Sequence, residues 1–328
     1  MSLFDDLKRK LEYLKETKAK LKEKVGGSDT DTFRELTDKV VKVSPMRIEF
    51  ETLEDGGEKA IFIGRANPDI RYVEEMIFSD GTLKVDDSAY KKYTSLKKIT
   101  LGDSVKKIGG ESFAYCSALT EVALSNGIEE IGAYAFNYCT SLASIKLPLV
   151  TVLMDNTFAN CTSLTSIELP LVTSVGGSAF YGCSSLRSIE LPLVTSVMYS
   201  AFSHCSSLTS IELPLATTVK LNAFFYCTSL TSIELPLVTS IEYGTFEYCK
   251  SLTSIELPLV TSVGDSAFYG CSSLQEVVFG TTATSIASSA FRNCTALTSI
   301  KVPWSEGAVS GAPWGATNAT ITYNYTEG

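Results

Sequence analysis

Five consecutive 22-residue units, from Cys161 to Cys271, repeat almost letter for letter, and the first reads CTSLTSIELPLVTSVGGSAFYG. A fixed period of about 20 to 50 residues is the sequence signature of a solenoid, in which each unit packs only on its neighbours. A single unit cannot fold alone, because about seven buried side chains at ~2 kcal/mol each do not offset the ordering of some twenty residues at about 1.5 kcal/mol apiece. The chain is therefore predicted to form one elongated body.

An apolar frame, LxxIxL, marks the strand of each unit. In the first perfect unit Ile167 and Leu169 alternate with Ser166 and Glu168, which is typical of a half-exposed strand. Strands joined in this way by one full unit are parallel. The frame recurs eleven times over residues 73–302, so eleven turns are predicted.

The remainder of each unit must return the chain to the next strand. Val175 and Phe180 are predicted to face the core, and SAFYG is short enough to form a single helical turn before Cys183. In an early turn Tyr90 takes the place of the repeated Phe and Tyr93 the place of the repeated Cys, as expected for an atypical first unit.

The nine cysteines follow the repeat, with one in each of nine turns. Metal sites need ligands close together, as in CxxC, and disulfide frameworks in long chains do not track a structural period. We predict a ladder of reduced, buried cysteines that fill the core: Cys116, Cys139, Cys161, Cys183, Cys205, Cys227, Cys249, Cys271 and Cys294.

Residues 1–27 are predicted to form an amphipathic helix for attachment. Residues 4–25 contain eight basic and five acidic side chains, a net charge of 8 − 5 = +3, whereas the whole chain carries -9. A helix docked on its own acidic body and a helix that binds an acidic partner are both open. Apolar residues form a heptad seam at Phe4, Leu7, Leu11, Leu14, Leu21 and Val25, with Lys18 in the seam and Lys8, Lys10, Lys15, Lys22 and Lys24 beside it.

Residues 28–72 are predicted to form a small adaptor. Thr32 to Glu35 has the pattern of a capping box that opens a short helix through about Val41. RIEFETL and EKAIFI then flank an Asp-Gly-Gly turn as in a β-hairpin. After the solenoid, residues 303–328 are predicted to form a C-terminal cap whose core contains Trp304 and Trp314, in preference to a sugar-binding role for these side chains.

Charge and hydropathy exclude several classes of partner. A net charge of -9 and a pI near 4.9 argue against nucleic acid, because such binding draws on clustered Lys and Arg. No apolar run reaches the roughly 18 residues of a membrane span, and the charged N-terminus has no apolar signal region. We expect synthesis in the cytoplasm without membrane insertion, with assembly into a tail particle or association with a surface afterwards. No nucleotide cradle is present, and no cofactor is expected.

The FxxCxSLxxIxLP frame over about residues 73–302 resembles the BspA-like leucine-rich repeat family, whose bacterial and protozoal members are associated with surface adhesion. The resemblance implies an α/β leucine-rich-repeat solenoid with a parallel β-sheet of about eleven turns, here with an N-terminal helix, a small adaptor and a C-terminal cap. It implies no catalytic residues. The flanks, including LEYLKETKAKLKEKV and PWGATNATITYNYTEG, resemble terminal segments of prophage tail-associated proteins of gut Firmicutes.

One column of carboxylates is a candidate binding surface on the sheet. Neighbouring strands would set these side chains about 4.8 Å apart. A glycosidase pair needs carboxylates with different pKa values, which identical turns do not provide. Capture of a divalent cation or basic ligand is a second interpretation, and a solvated stripe that keeps the sheet soluble is favoured. The column, bordered by Lys146, consists of Glu168, Glu190, Glu212, Glu234 and Glu256.

The units differ mainly in one triplet, Gly176-Gly177-Ser178 in the first perfect unit, and in the dipeptide before each Cys. These positions are predicted to lie on one side of the coil, opposite the column of Glu, as tolerant loop tips or as a recognition surface. His204 is the only histidine, so a His-based metal cluster is excluded. The candidate binding residues of this side are Met198, Tyr199, His204, Lys220, Asn222, Glu242, Tyr243, Tyr248 and Asp265.

Together these features predict a non-enzymatic protein that presents a repeat surface to a cell-surface glycan or protein, as a phage-tail or surface-associated component. An intracellular scaffold for protein partners is the alternative. A glycan-active enzyme that uses the column of Glu is a third and less favoured hypothesis.

Overall fold

In a computed structural model, the described residues are 46–52, 58–63, 73–78, 83–124 and 127–326. They form the predicted parallel solenoid of eleven turns. The two predicted helices, in residues 1–27 and about 32–41, lie outside the described ranges. The described residues contain strands and turns and no helix, so the α-component predicted for the fold class has no counterpart in this part of the chain.

The outward face of the long strands, here called the sheet side, runs along the whole solenoid. Strands are numbered in chain order, and those of the sheet side are β1 (Met46–Thr52), β2 (Glu58–Ile63), β3 (Val73–Phe78), β5 (Lys98–Leu101), β7 (Glu121–Ala123), β9 (Ser144–Lys146), β11 (Ser166–Glu168), β13 (Ser188–Glu190), β15 (Ser210–Glu212), β17 (Ser232–Glu234), β19 (Ser254–Leu257), β21 (Glu276–Phe279), β23 (Ser299–Lys301) and β24 (Thr320–Thr322). Their hydrogen-bonded runs are β2-β1-β3-β5-β7, β9-β11, β13-β15-β17 and β19-β21-β23-β24. All pairs after the first hairpin are parallel, and the pairing of β1 with β3 contains a register shift between Met46 and Arg47.

A second series of short strands follows the long strands, after a Pro-Leu corner in six of the turns. It consists of β4 (Lys84–Val85), β6 (Lys107–Ile108), β8 (Glu130–Ile131), β10 (Val152–Leu153), β12 (Ser174–Val175), β14 (Ser196–Val197), β16 (Thr218–Val219), β18 (Ser240–Ile241), β20 (Ser262–Val263) and β22 (Ser285–Ile286). The second residue of each strand is buried, so each turn contributes a further apolar side chain to the core.

The segment between each short strand and the next Cys, residues 176–182 in the unit that begins at Cys161, is here called the turn side. The single helical turn predicted there is wrong. Ser178 and Gly182 have left-handed φ values of 54° and 72°, which a right-handed helix does not allow. In addition, the Phe180 N–H donates to Ala201 O of the next turn at 2.8 Å, so it is not available for a bond within its own unit.

The core is a stack of identical side chains. Rings in the repeated Phe position lie 5.2–5.8 Å apart between centroids, and Tyr90 continues the stack at the N-terminal end, as the sequence predicted. All nine cysteines are free and buried, which confirms the predicted ladder. Each thiol also donates to the carbonyl of the Phe-position residue about 25 residues earlier, for example Cys205 Sγ to Phe180 O at 3.2 Å.

The two ends of the solenoid extend the sheet. The predicted hairpin is confirmed: β1 and β2 are antiparallel, with Thr52 opposite Glu58, and β1 pairs in parallel with β3. At the other end β24 pairs with β23. Trp314 is fully buried there, and Trp304 contacts Phe279 with 5.7 Å between ring centroids.

Candidate functional site

The predicted column of carboxylates on the sheet side is present as a register. Glu190, Glu212 and Glu234 are direct partners in the pairing of β13, β15 and β17. Glu168 is opposite Lys146, and their side chains form an ion pair at 2.5 Å. All five carboxylates of the column are exposed. Apart from Glu168 and its ion pair, the environments of these carboxylates are alike, so nothing in the geometry of the other four separates an acid from a nucleophile.

The described residues do not form a metal site. Among the residues that the structure describes, no group of three or more His, Cys, Asp and Glu side chains is arranged to hold a metal ion. The cysteines are also poor ligands, since a thiol must lose its proton to bind metal. Burial raises the pKa of Cys183 to about 12.

The turn side carries a contiguous row of aromatic side chains that crosses five turns. The row, here called the aromatic row, consists of Tyr181, His204, Phe225, Tyr226, Tyr248 and Tyr269. Ring centroids of successive members lie 5.2–5.6 Å apart. Its members stand at the two positions before each Cys, so the backbone of consecutive turns places them side by side.

The backbone holds the last residue of each unit in one conformation. His204, Tyr226 and Tyr248 have left-handed φ values of 61°, 62° and 59°. Each donates its N–H to the next turn, as Tyr226 does to Glu247 O at 2.8 Å. This conformation costs about 1–2 kcal/mol for a residue other than glycine. The repeated hydrogen bonds therefore fix a strained corner at which aromatic side chains are partly exposed.

The electrostatics of the aromatic row are mild. Partial burial lowers the pKa of His204 below its usual 6.5, so this ring is neutral at pH 7. Lys250 Nζ lies 5.9 Å from the Tyr226 ring centroid and 6.0 Å from that of Tyr248, within the range of a cation–π contact. The row thus combines flat apolar surface with one nearby cation.

A second exposed group lies on the same side of the coil, at the middle of the variable triplet. Tyr199, Leu221 and Tyr243 occupy this position in three consecutive turns, and Tyr243 is 53% exposed. Three large apolar side chains so exposed on adjacent turns form a patch suited to contact with another molecule.

Some residues that vary between units fit against a particular side chain of the neighbouring turn. A Cβ atom on Gly177 would lie 2.2 Å from the Tyr199 ring, so only glycine leaves room for that ring. Across the gap, the Tyr199 hydroxyl donates to Asp155 Oδ2 at 3.0 Å, and this bond raises the pKa of Tyr199. In the same way, a Cβ on Gly270 would lie 2.8 Å from the Tyr248 ring.

Several predicted binding residues bond within the scaffold. Lys220 Nζ pairs with Glu242 Oε1 at 2.9 Å, and the other oxygen of Glu242 accepts the Leu221 N–H at 2.9 Å. Asp265 accepts a hydrogen bond from Ser289. Asn222 has a left-handed φ of 56°. Contacts within the scaffold therefore hold Lys220, Glu242 and Asp265 in place, as the bond to Asp155 holds Tyr199. All nine predicted residues are at least partly exposed, and Tyr199, Tyr243 and Asp265 are the exposed ones.

Sequence reasoning missed several members of this surface: Tyr181, Phe225, Tyr226 and Tyr269. The signal was present, because each of these residues lies in the dipeptide before a Cys. What the sequence did not reveal is that an aromatic residue in the first position of one dipeptide contacts an aromatic residue in the second position of the next.

Comparison with known proteins supports the fold. A family model described as "BspA type Leucine rich repeat region" matches six copies, over residues 69–170, 151–258 and 217–308. No curated protein matches the chain. In the part of the chain that the structure describes, no helix has the length and apolarity required to cross a bilayer.

Several solved bacterial structures are similar. A leucine-rich repeat protein from Bacteroides ovatus is 24% identical, with a TM-score of 0.55, over 86% of this chain and 92% of that one. The T. pallidum leucine-rich repeat protein is 25% identical, with a TM-score of 0.47, over 56% of this chain and 88% of its own. A leucine-rich cell surface protein from Faecalibacterium prausnitzii is 24% identical, with a TM-score of 0.41, over 79% of this chain and 94% of that one.

Proposed function

The chain belongs to the BspA-type leucine-rich repeat family, and from this membership and its two unlike sides we propose that it is a non-enzymatic recognition protein. Its turn side binds a protein or glycan exposed on a cell surface. The carboxylates of the sheet side take no catalytic role, since neighbours in the column share one environment.

The observation that carries this proposal is the aromatic row. It is continuous from turn to turn, although its members are Tyr, His and Phe residues at two different positions of the repeat. Aromatic side chains supply flat, partly polar contact surface at a low cost in side-chain entropy, which suits both sugars and proteins. The solenoid keeps this surface in place because its members stand on hydrogen-bonded turns.

The second exposed group favours a protein over a glycan as the partner. Leu221 lies between Tyr199 and Tyr243 and is 43% exposed, and an aliphatic side chain in this position adds contact area for a protein partner. An intracellular protein scaffold is the alternative function, because the same surface would serve it.

We further propose that residues 1–27, which lie outside the described ranges, mount the protein on a larger assembly such as a phage tail. The proposal comes from the heptad seam and basic charge of residues 4–25. Removal of residues 1–27 should abolish incorporation into such a particle and leave ligand binding intact. Loss of both properties, or of neither, would contradict this division of labour.

Binding of the purified chain to intact epithelial and bacterial cells and to an immobilised glycan array tests the main proposal. The variant Tyr226→Ala/Tyr248→Ala removes the centre of the aromatic row and should weaken binding at least about tenfold, as expected for paired interface anchors. The matched control is Tyr115→Ala/Tyr138→Ala, a stacked tyrosine pair with 5.0 Å between centroids in turns outside the row.

The pattern of loss separates the hypotheses. Equal weakening by the two tyrosine pairs, or by neither, would contradict a site centred on the aromatic row. Loss of binding in Glu212→Gln/Glu234→Gln would instead transfer the site to the sheet side. Retained binding to a protein partner without binding to any cell or glycan would favour the intracellular scaffold.

A further inference from the structure

Carboxylates of the sheet side form ion pairs with lysines on either side of four central turns, but not within those turns. Lys98 pairs with Glu121 at 2.8 Å, Lys146 with Glu168 at 2.5 Å, and Lys301 with Glu276 at 2.8 Å. Among the described residues, no Lys or Arg lies within the 4.0 Å salt-bridge distance of the four carboxylates between these pairs. These four, here called the central Glu column, are Glu190, Glu212, Glu234 and Glu256.

An exposed apolar column runs beside the central Glu column. Each of these turns places an exposed proline two residues after the glutamate and an exposed leucine after the proline. Glu234, Pro236, Glu256 and Pro258 line one groove of about 370 Å³. The leucines, at 38–43% exposure, are Leu193, Leu215, Leu237 and Leu259. A surface of this kind matches a partner with one apolar and one basic column.

We propose that residues 4–25 cover the central Glu column of the same chain as an amphipathic helix until the chain joins a larger assembly, which then takes over this segment. In their heptad pattern Leu7, Leu14 and Leu21 form one column and Lys8, Lys15 and Lys22 form the adjacent one. The two columns are complementary to the Pro-Leu and Glu columns of the sheet side. The segment is basic, at 8 − 5 = +3, whereas the whole chain carries -9.

The spacing of the lysines along the helix is close to twice the spacing of the glutamates across the strands. Seven residues of a helix advance about 10.5 Å, and two steps between neighbouring strands cover about 9.6 Å. The four glutamates span about 14 Å, so two consecutive lysines of the three can meet alternate glutamates of the column. Each exposed ion pair contributes little alone, so the apolar columns must contribute as well.

The chain is long enough to make this contact with itself. Residues 26–45, which join the segment to β1, can span up to about 66 Å. From β1 to the central Glu column, which lies on β13 to β19, the sheet advances six to nine strands, or about 29–43 Å. A tethered segment acts at an effective concentration of the order of millimolar, so weak contacts suffice. The covered sheet side then leaves the turn side as the free surface of the solenoid.

Hydrogen exchange of the full chain, measured by mass spectrometry without any ligand, tests the inference independently of the proposed function. At low salt, amides of residues 4–25 should exchange at least about tenfold more slowly than in an unstructured chain. The variant Glu190→Gln/Glu212→Gln/Glu234→Gln/Glu256→Gln should lose this protection, as should the wild-type chain at about 1 M NaCl. The control Asp103→Asn/Glu129→Gln/Glu130→Gln/Glu306→Gln removes the same charge elsewhere and should keep it.

The variant Lys8→Gln/Lys15→Gln/Lys22→Gln leaves the solenoid unchanged and should also lose protection, which guards against misfolding of the glutamine variant. Absence of protection in the wild-type chain, or protection that survives both sets of substitutions, would overturn the inference. Protection that rises with protein concentration would also overturn it, since the occupant would then be a second copy.

Discussion

The sheet side and the turn side share one period but follow different rules of substitution. On the sheet side each residue is opposite its own equivalent, as Ser210 is opposite Ser232 and Glu212 is opposite Glu234. On the turn side the Tyr248 ring contacts the rings of Tyr226 and Tyr269. It also lies 2.8 Å from the position that a Cβ atom on Gly270 would take. On the sheet side, identical units pair well because each residue meets the same residue type in the next strand. On the turn side, a side chain contacts a different position of the next turn, so a substitution at one position requires a matching substitution at the other.

The largest expected effect lies beneath the turn side, in the core that both sides share. Phe224 is fully buried, with its ring centroid 5.5 Å from those of Phe202 and Phe246. Phe224→Ala should lower the free energy of unfolding by about 3–5 kcal/mol, measured by urea denaturation, because it leaves a cavity in a continuous stack.

The adjacent residue provides the control. Phe225 is half-buried in the aromatic row, and Phe225→Ala should cost about 2 kcal/mol less than Phe224→Ala, since the exposed site can be filled by water. Equal costs for the two substitutions would show that the aromatic row belongs to the core, and the contrast between scaffold and recognition surface would fail.

A smaller effect is expected where the turn side matches a glycine to a ring. Gly270 has a φ of 70°, and a Cβ atom there would lie 2.8 Å from Tyr248. Gly270→Ala should cost about 1–3 kcal/mol of unfolding free energy, through backbone strain and displacement of the ring.

A double-mutant cycle separates these two causes. In the Tyr248→Ala background the ring is absent, so Gly270→Ala should cost about 0.5–1.5 kcal/mol less than in the wild-type chain, while the backbone strain persists. Additive costs would mean that the two positions vary independently, and the turn side would then be a set of tolerant loop tips.

The sequence predicted the fold to the level of individual side chains wherever contacts repeat. Ile167, Leu169 and Cys183 face the core as expected, because register makes one unit the template of the next. The helical turn was wrong because SAFYG has a helix-compatible composition, and only the neighbouring turn reveals that alternate N–H groups donate across units.

The candidate site was predictable only in part. Variation among units identified the turn side, including Tyr199, Tyr243 and Tyr248. It did not distinguish residues that bond within the scaffold, such as Lys220 and Glu242, because a pair between turns 22 residues apart leaves no local signal. The aromatic row and the apolar column of the sheet side likewise required the positions of neighbouring turns.

The turn side, unlike the sheet side, also contains the chain's only histidine. Burial lowers the pKa of His204 below 6.5 in the folded state, so its neutral form favours folding. This contribution is complete above pH 6.5 and decreases as the pH falls through the lowered pKa. It is small, because the ring is only partly buried and solvent screens its charge.

Thermal unfolding between pH 7.5 and 5 measures the contribution of His204. The His204→Gln chain should lose slightly less stability over this interval than the wild-type chain, with the carboxylates providing the same background in both. Parallel curves for the two proteins would show that His204 is fully solvated, which would remove it from the contacts of the aromatic row.

The smallest effect is expected on the sheet side, where the comparison predicts no coupling. Ser210 and Ser232 are exposed direct partners in β15 and β17, and both sit in the same position of the repeat. Ser210→Ala and Ser232→Ala should each change the unfolding free energy by less than about 0.5 kcal/mol and should add within ~0.3–0.5 kcal/mol. A coupling as large as that of Gly270 with Tyr248, measured by the same urea denaturation, would mean that uniform residues are also matched between turns. Near-additive costs would instead mean that strand register alone accounts for the uniform residues of the sheet side. The turn side would then be the part of the surface where residues of neighbouring turns constrain one another.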